Sequence, residues 1–202
     1  QLIRVWLPMF LQKGRGYSEV ETLYFNSAYY VSTDVGCLLA GALSLWLARR
    51  GIGILNARLT VFGICAALTS LTTLAAYLPQ GWLNEPSYLY IPNNPFAIYI
   101  PRGLPLLAVL LVVAAGSLGL FPCYYSFVQE LNSKHVGKVS GVLGFSAWMV
   151  SSPLQKLFGR LVDQTESYDL GISLVGWAPM IGFLALLVLW RRSDHEQPVP
   201  IL

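Results

Sequence analysis

Charge is what this sequence has least of. Only 11% of its 202 residues are Asp, Glu, Lys or Arg, against 55% hydrophobic, where a soluble domain carries about 25% charged residues. Such a chain cannot dress a water-facing surface, so it belongs in a lipid bilayer. The net charge of +3 is accounted for by basic loops, and nucleic acid is not an expected partner. Cysteine is scarce too. Cys37, Cys65 and Cys123 all lie inside apolar segments, and an odd number without paired spacing excludes a disulfide framework and a zinc site. The two histidines, His135 in a polar linker and His195 in the tail, have no metal-ligand partner at helical spacing. No metal, no cofactor and no enzymatic activity are therefore expected. A membrane enzyme would need a His/Glu cluster or a Ser/His pair at the membrane face. An initiator Met is also missing: Gln1-Leu2-Ile3-Arg4 runs straight into apolar sequence, so the chain is expected to be a piece of something longer.

What is present is a series of long oily spans, the most informative of which runs from Ser18 to Arg58. Ser18 followed by Glu21 is a capping box, in which hydroxyl and carboxylate each satisfy the other residue's backbone N–H. A helix is thus predicted to begin near Glu19. From Thr22 to Ala48 the only charged side chain is Asp34, and a helix of that length rises about 40 Å, enough to cross a hydrocarbon core of about 30 Å with some tilt. It closes on Arg49-Arg50-Gly51, with Arg58 beyond, the basic terminus of a helix that leaves on the cytoplasmic side. An acid at mid-bilayer costs about 3 kcal/mol and faces a bundle interior or a wet cavity. Asp34 therefore reads either as a packing carboxyl, protonated or hydrogen-bonded beside Ser32 and Thr33, or as a proton-relay or cation-coupling site.

The remaining helices are expected at about 1–12, 58–78, 103–129, 137–162 and 169–192, beside 19–48. Together, 1–192 form one transmembrane bundle, followed by a cytoplasmic tail at 193–202. In the short first helix Arg4 has either a water-filled helix end or a functional partner, because guanidinium holds carboxylates in bidentate fashion. Residues 82–102, with four prolines and interleaved aromatics, read as an ordered interfacial loop. Pro122 is placed to bend the fourth helix beside Cys123-Tyr124-Tyr125, where Ser126 and both tyrosines are candidates to line a cavity. The fifth helix is unusually polar: Trp148, Ser151, Ser152 and Gln155 fall on one side, and Gly137, Gly141 and Gly144 form a small-residue stripe for close helix contact. The side chains of Ser151 and Gln155 read either as bonds across a packed helix pair or as a solvated substrate face. Asp169 is placed to cap the sixth helix. Counting Lys and Arg puts Arg49, Arg50, Arg58, Lys134, Lys138, Arg191 and Arg192 on the cytoplasmic side. The expected location is the plasma (inner) membrane, with the C-terminus cytoplasmic.

Several of these stretches resemble a known family. Trp6-Leu7-Pro8-Met9-Phe10-Leu11, Arg15-Gly16-Tyr17-Ser18, and Asp34-Val35-Gly36 leading to Gly41-Ala42-Leu43-Ser44 and Arg49-Arg50-Gly51 resemble the seventh and eighth helices of major facilitator superfamily transporters. Phe121 to Tyr125 and Gly159 to Asp163 are similar to helices ten and eleven. The likeness is greatest to the anion:cation symporter branch of hexuronate, glucarate and sialin-type carriers. It implies an all-α integral membrane fold, the carboxy-terminal six-helix half of a twelve-helix bundle with its first helix incomplete. It also implies a missing amino-terminal six-helix half as partner.

The function implied is alternating-access transport of a small organic anion, such as a sugar acid, with a coupling cation, proton or sodium. Arg4, Tyr124, Tyr125, Trp148, Ser151 and Gln155 would bind substrate and Asp34 would couple. The family's cytoplasmic gating motif is represented by Arg49, Arg50 and Arg58. Leu45 stands where the family usually has Asp after Ser44, and Glu130 would supply the acid instead. The alternative is a non-transporting sensor or packing subunit on the same fold.

Overall fold

The computed structural model describes residues 2–78, 87–89, 98–100, 103–131 and 135–189. Among the described residues it is a bundle of six helical passes with one short pair of strands between two of them. The first is α1 (Leu2–Met9), which continues as a wider π-helical turn, Phe10–Gly14. Then come α2 (Glu19–Arg49), α3 (Ile54–Ser70) with α4 (Thr72–Tyr77), α5 (Leu104–Leu131), α6 (Val136–Thr165) and α7 (Tyr168–Leu189). The passes α2, α3 with α4, α5 and α7 are long and apolar enough to cross a membrane. This is an integral membrane protein. At 30 residues α6 is long enough as well, but its polar face keeps it out of that apolar group.

Local chemistry sets the ends of α2. The Glu21 backbone N–H donates to Ser18 Oγ at 3.3 Å, and the Ser18 N–H donates to Glu21 Oε2 at 2.8 Å, so the capping box is formed. The third pass begins at Ile54, four residues before the expected start, because Leu55 and Ala57 already pack into the bundle. Arg58 thereby sits on helical backbone, not in a loop. Between passes three and four, Ser87–Leu89 pairs antiparallel with Ile98–Ile100, Tyr88 opposite Tyr99. The rest of the expected aromatic loop lies outside the described residues. So do the tail at 193–202, and Arg191 and Arg192.

The core is in two clusters. At the Ser18 end, Leu7, Phe10 and Leu11 of the first pass meet Phe25 and Tyr29 of α2, Leu106 and Leu110 of α5, Phe158 and Val162 of α6, and Ile172 of α7. Nearer Arg49, Ala40, Val61, Cys65, Cys123 and Phe127 join α2, α3 and α5. α2 and α5 approach closely at Gly36, where an added Cβ would fall on the backbone of Ala115. With no hydrophobic drive between helices in lipid, such small-residue contacts carry the association. We expect Gly36→Ala to force the two helices apart at a cost of about 1–3 kcal/mol, read as a lower unfolding midpoint in detergent. An unchanged midpoint would remove this contact from the account.

α6 is the loosely held helix. Its Thr165 end is anchored by Phe158, 4.7 Å from the ring of Trp6 and packed against Gly171. Further along the same helix, a Cβ on Gly137, Gly141 or Gly144 would meet nothing within 4 Å. Among the described residues, then, the small-residue stripe is not packed against another helix as the sequence suggested. Pro153 and Pro179 do not interrupt α6 or α7.

Candidate substrate and coupling site

The buried stripe of α2 is Thr22, Phe25, Tyr29, Thr33, Gly36 and Ala40, the three-and-four spacing of one helix face. Turning around the helix from that stripe, one neighbouring arc carries Asn26, Ser27, Tyr30, Asp34, Cys37, Gly41 and Ser44, with the exposed Leu23 and Leu45 before and after them along the helix and the exposed Leu38 at its margin. On the other side, Tyr24, Val31, Val35 and Leu39 are exposed and mostly aliphatic, a surface suited to acyl chains. Between Asn26 and Ser44 of α2, therefore, an apolar flank and a mainly polar flank lie on either side of the packed face. Ser32 breaks the apolar flank but is tied down, its hydroxyl donating to the Leu111 carbonyl of α5 at 2.7 Å.

Arg4 meets α2 on the polar flank. Its guanidinium carbon lies 4.3 Å from the centroid of the Tyr30 ring, cation over ring face. Pro8, inside α1, has no N–H to offer the carbonyl four residues back, which is that of Arg4. The π-helical turn follows at once, and such turns often mark functional stretches. One turn along α2 from Tyr30, about 6 Å of rise, stands Asp34, exposed on the bundle surface. Among the described residues, no ion pair joins Arg4 to an acid. Arg4 and Asp34 are thus on the same flank, about one helical turn apart, without being paired to each other.

The other expected substrate residues fall in two places. On α5, Tyr124 is half-buried and Tyr125 exposed, their rings edge to face at 5.1 Å, with Phe121 stacked obliquely on Tyr125 at 6.0 Å. On α6, Trp148 is 65% exposed while Ser151 and Gln155 are half-buried. Among the described residues, no hydrogen bond or ring contact joins the α6 group to Tyr124, Tyr125 or Arg4. Next to the tyrosines is a cavity of about 300 Å³ between α2, α3 and α5, its polar lining being Ser44, Arg58, Cys123 and Ser126. Arg58 Nη1 donates to the Ser126 carbonyl at 3.2 Å, and the Cys123 thiol points to the Arg58 carbonyl at 3.9 Å. Of the other expected gating residues, Arg50 lies over the Trp46 ring at 4.0 Å and Arg49 is exposed. The Glu130 side chain lies outside the described residues.

One charged cluster had no signal in the sequence. Arg15 is 7% exposed. Its Nη2 donates to the carbonyls of Ala75, at 3.0 Å, and Ala76, and contacts Asp169 Oδ1 at 3.1 Å, while Nη1 reaches the Leu78 carbonyl at 3.4 Å. The ring of Phe10 lies beneath it at 5.2 Å. A single guanidinium thus satisfies the orphan carbonyls at the end of α4, where the helix dipole is negative. It also binds the first turn of α7 to the loop between α1 and α2. Asp169 is in that first turn and its carboxylate faces Arg15, so it does not serve as the N-cap the sequence suggested.

No protein-family model matches the chain. Among curated proteins it is 28% identical to mouse monocarboxylate transporter 9 over 158 residues, 70% of this chain and 30% of that protein. It is 22% identical to the hexuronate transporter of Escherichia coli K12 over 205 residues, 97% of this chain and 40% of the other. It is also 21% identical to the probable L-galactonate transporter of the same strain over 195 residues, 96% and 39%. The chain thus spans less than half the length of these relatives. The motifs, the all-helical membrane fold and these relatives agree, and the chain is similar to anion transporters of the major facilitator superfamily.

Proposed function

We propose that the full-length protein is a secondary transporter that moves a small organic anion of the sugar-acid class by alternating access, with a proton or sodium ion as coupling cation. The observation that carries this reading is the placing of Arg4 over Tyr30, one helical turn from Asp34, on the polar flank of a membrane helix. A guanidinium there takes a substrate carboxylate in bidentate fashion. Ionised Asp34 competes for the same cation. Protonation of Asp34, or a sodium ion beside it, removes that competition and frees Arg4 for the substrate, so cation and anion load together. Tyr124, Tyr125, Trp148, Ser151 and Gln155 complete the pocket as α6 closes on the bundle.

The open face of α6 suits a second six-helix half, for which the greater length of the relatives leaves room. Arg49, Arg50 and Arg58, with Glu130, form the gating latch at the cytoplasmic end, Arg58 being tied to α5 through Ser126. By the positive-inside count the Arg49 end is cytoplasmic, in the plasma membrane.

The test is uptake of labelled hexuronate by cells expressing the full-length protein. The proposal expects concentrative uptake that Arg4→Ala abolishes. Collapsing the proton gradient, or removing sodium, should stop accumulation. Uptake indifferent to both cations would refute symport, and no uptake of any organic anion would refute transport.

A further inference from the structure

The cavity of about 300 Å³ between α2, α3 and α5 lies towards the Arg49 end of the bundle. As a helix of 31 residues, α2 outreaches a hydrocarbon core of about 30 Å by about 8 Å at either end when centred in the bilayer. Ser44 stands five residues before Arg49, about 8 Å along the helix, and so at the depth where headgroups meet hydrocarbon. The cavity wall has one cation, Arg58, and no carboxylate. Elsewhere in the bundle Thr69, Ser70 and Ser117 return their hydroxyls to a carbonyl three or four residues back, a habit of helical serines and threonines. The cavity serines do not. Ser44 and Ser126 are half-buried, and among the described residues neither hydroxyl makes a hydrogen bond. Arg58 donates to the Ser126 carbonyl, and a guanidinium carries five N–H donors. α3 also starts on this wall, at Ile54, behind a glycine N-cap with no side chain to offer, so the positive end of a helix dipole adds to the field of Arg58.

We propose that this cavity binds a phosphate group. Arg58 on α3 takes phosphate oxygens in the way guanidinium commonly does, and the Ser44 and Ser126 hydroxyls donate to others from α2 and α5. Donors on three helices suit a tetrahedral anion, whose oxygens point several ways, better than a planar carboxylate. The apolar part of the wall, with Leu45, Ala48, Ile54 and Pro122, receives the carbon portion of a phosphate ester. Free phosphate and a phospholipid headgroup present the same chemistry at this depth. Either occupant ties α2, α3 and α5 together at the Arg49 end. The site is separate from Arg4 and Asp34 and does not rest on the transport reading.

The test is thermal stabilisation of the purified full-length protein by two probes. One is inorganic phosphate, titrated in uncharged detergent against chloride at equal ionic strength. The other is phosphatidylglycerol, titrated into phosphatidylcholine bilayer discs. At least one probe should raise the unfolding midpoint in a saturable way, phosphate alone pointing to the free anion and phosphatidylglycerol alone to the headgroup. Arg58→Gln should raise the concentration for half-maximal stabilisation about tenfold or more, and the double variant Ser44→Ala, Ser126→Ala should raise it about tenfold. If Arg58→Gln does not fold, the serine pair decides. Stabilisation by neither probe, or stabilisation whose concentration dependence the serine pair leaves unchanged, would overturn the proposal.

Discussion

Arg15→Ala lowers the unfolding midpoint of the protein in detergent by about 6–12 °C. The figure follows from about 3 kcal/mol for removing one partner of a buried charge network, at about 2–4 °C per kcal/mol for a chain of this size. Arg15 is almost fully enclosed, and its loss uncovers the carbonyls of Ala75, Ala76 and Leu78 together with the carboxylate of Asp169. The same reasoning makes Asp169→Asn mild. The Asp169 side chain is 36% exposed, and the helix-end carbonyls keep their donor, so the loss should be about 1 kcal/mol or less. The ordering of these two variants is the test. If Asp169→Asn is as damaging as Arg15→Ala, the ion pair dominates and the carbonyl cap contributes little.

Asp34→Asn uncouples transport. If protonation or sodium binding at Asp34 frees Arg4, a neutral amide holds the site permanently in the anion-accepting state. Exchange of internal for external anion should persist, and accumulation driven by the ion gradient should fall by about 5- to 150-fold, the range that coupling energies of about 1–3 kcal/mol span. Asp34→Glu should retain gradient dependence. Gradient-driven accumulation that survives in Asp34→Asn would move coupling to another group.

The bundle was legible in the sequence because its cause is local. Apolar runs of membrane length, a Ser18–Glu21 cap and basic helix ends are all written in consecutive residues. The capping box has the reciprocal bonds the residue types imply. The role of Arg15 was not legible. In the run Gln12-Lys13-Gly14-Arg15-Gly16 it looks like any solvated loop arginine, and three of its partners are backbone carbonyls that lie some 60 residues away, which no side-chain pattern announces.

Tyr30 was legible in principle. Its fourfold spacing to Asp34 is plain, but attention to charge alone passes over neutral polar residues. The packing of α6 could not be read either. Its glycines fit a close helix contact, yet a stripe of small residues does not say whether its partner lies in the same stretch of chain.

The central claim is that one flank of α2 faces an aqueous path and the other faces lipid. Labelling the full-length protein in membranes with a water-soluble thiol reagent tests it most directly, because Cys37 already lies on the polar flank, half-buried, while Cys65 and Cys123 are buried. Single cysteines placed at Tyr30, Asp34 and Gly41 in a background lacking the native three should react, as should Cys37 alone, and an organic anion should protect the first two. Cysteines at Val31, Val35 and Leu39 should stay unlabelled. The reverse pattern, reaction at those three positions with silence along the polar flank, would contradict the account.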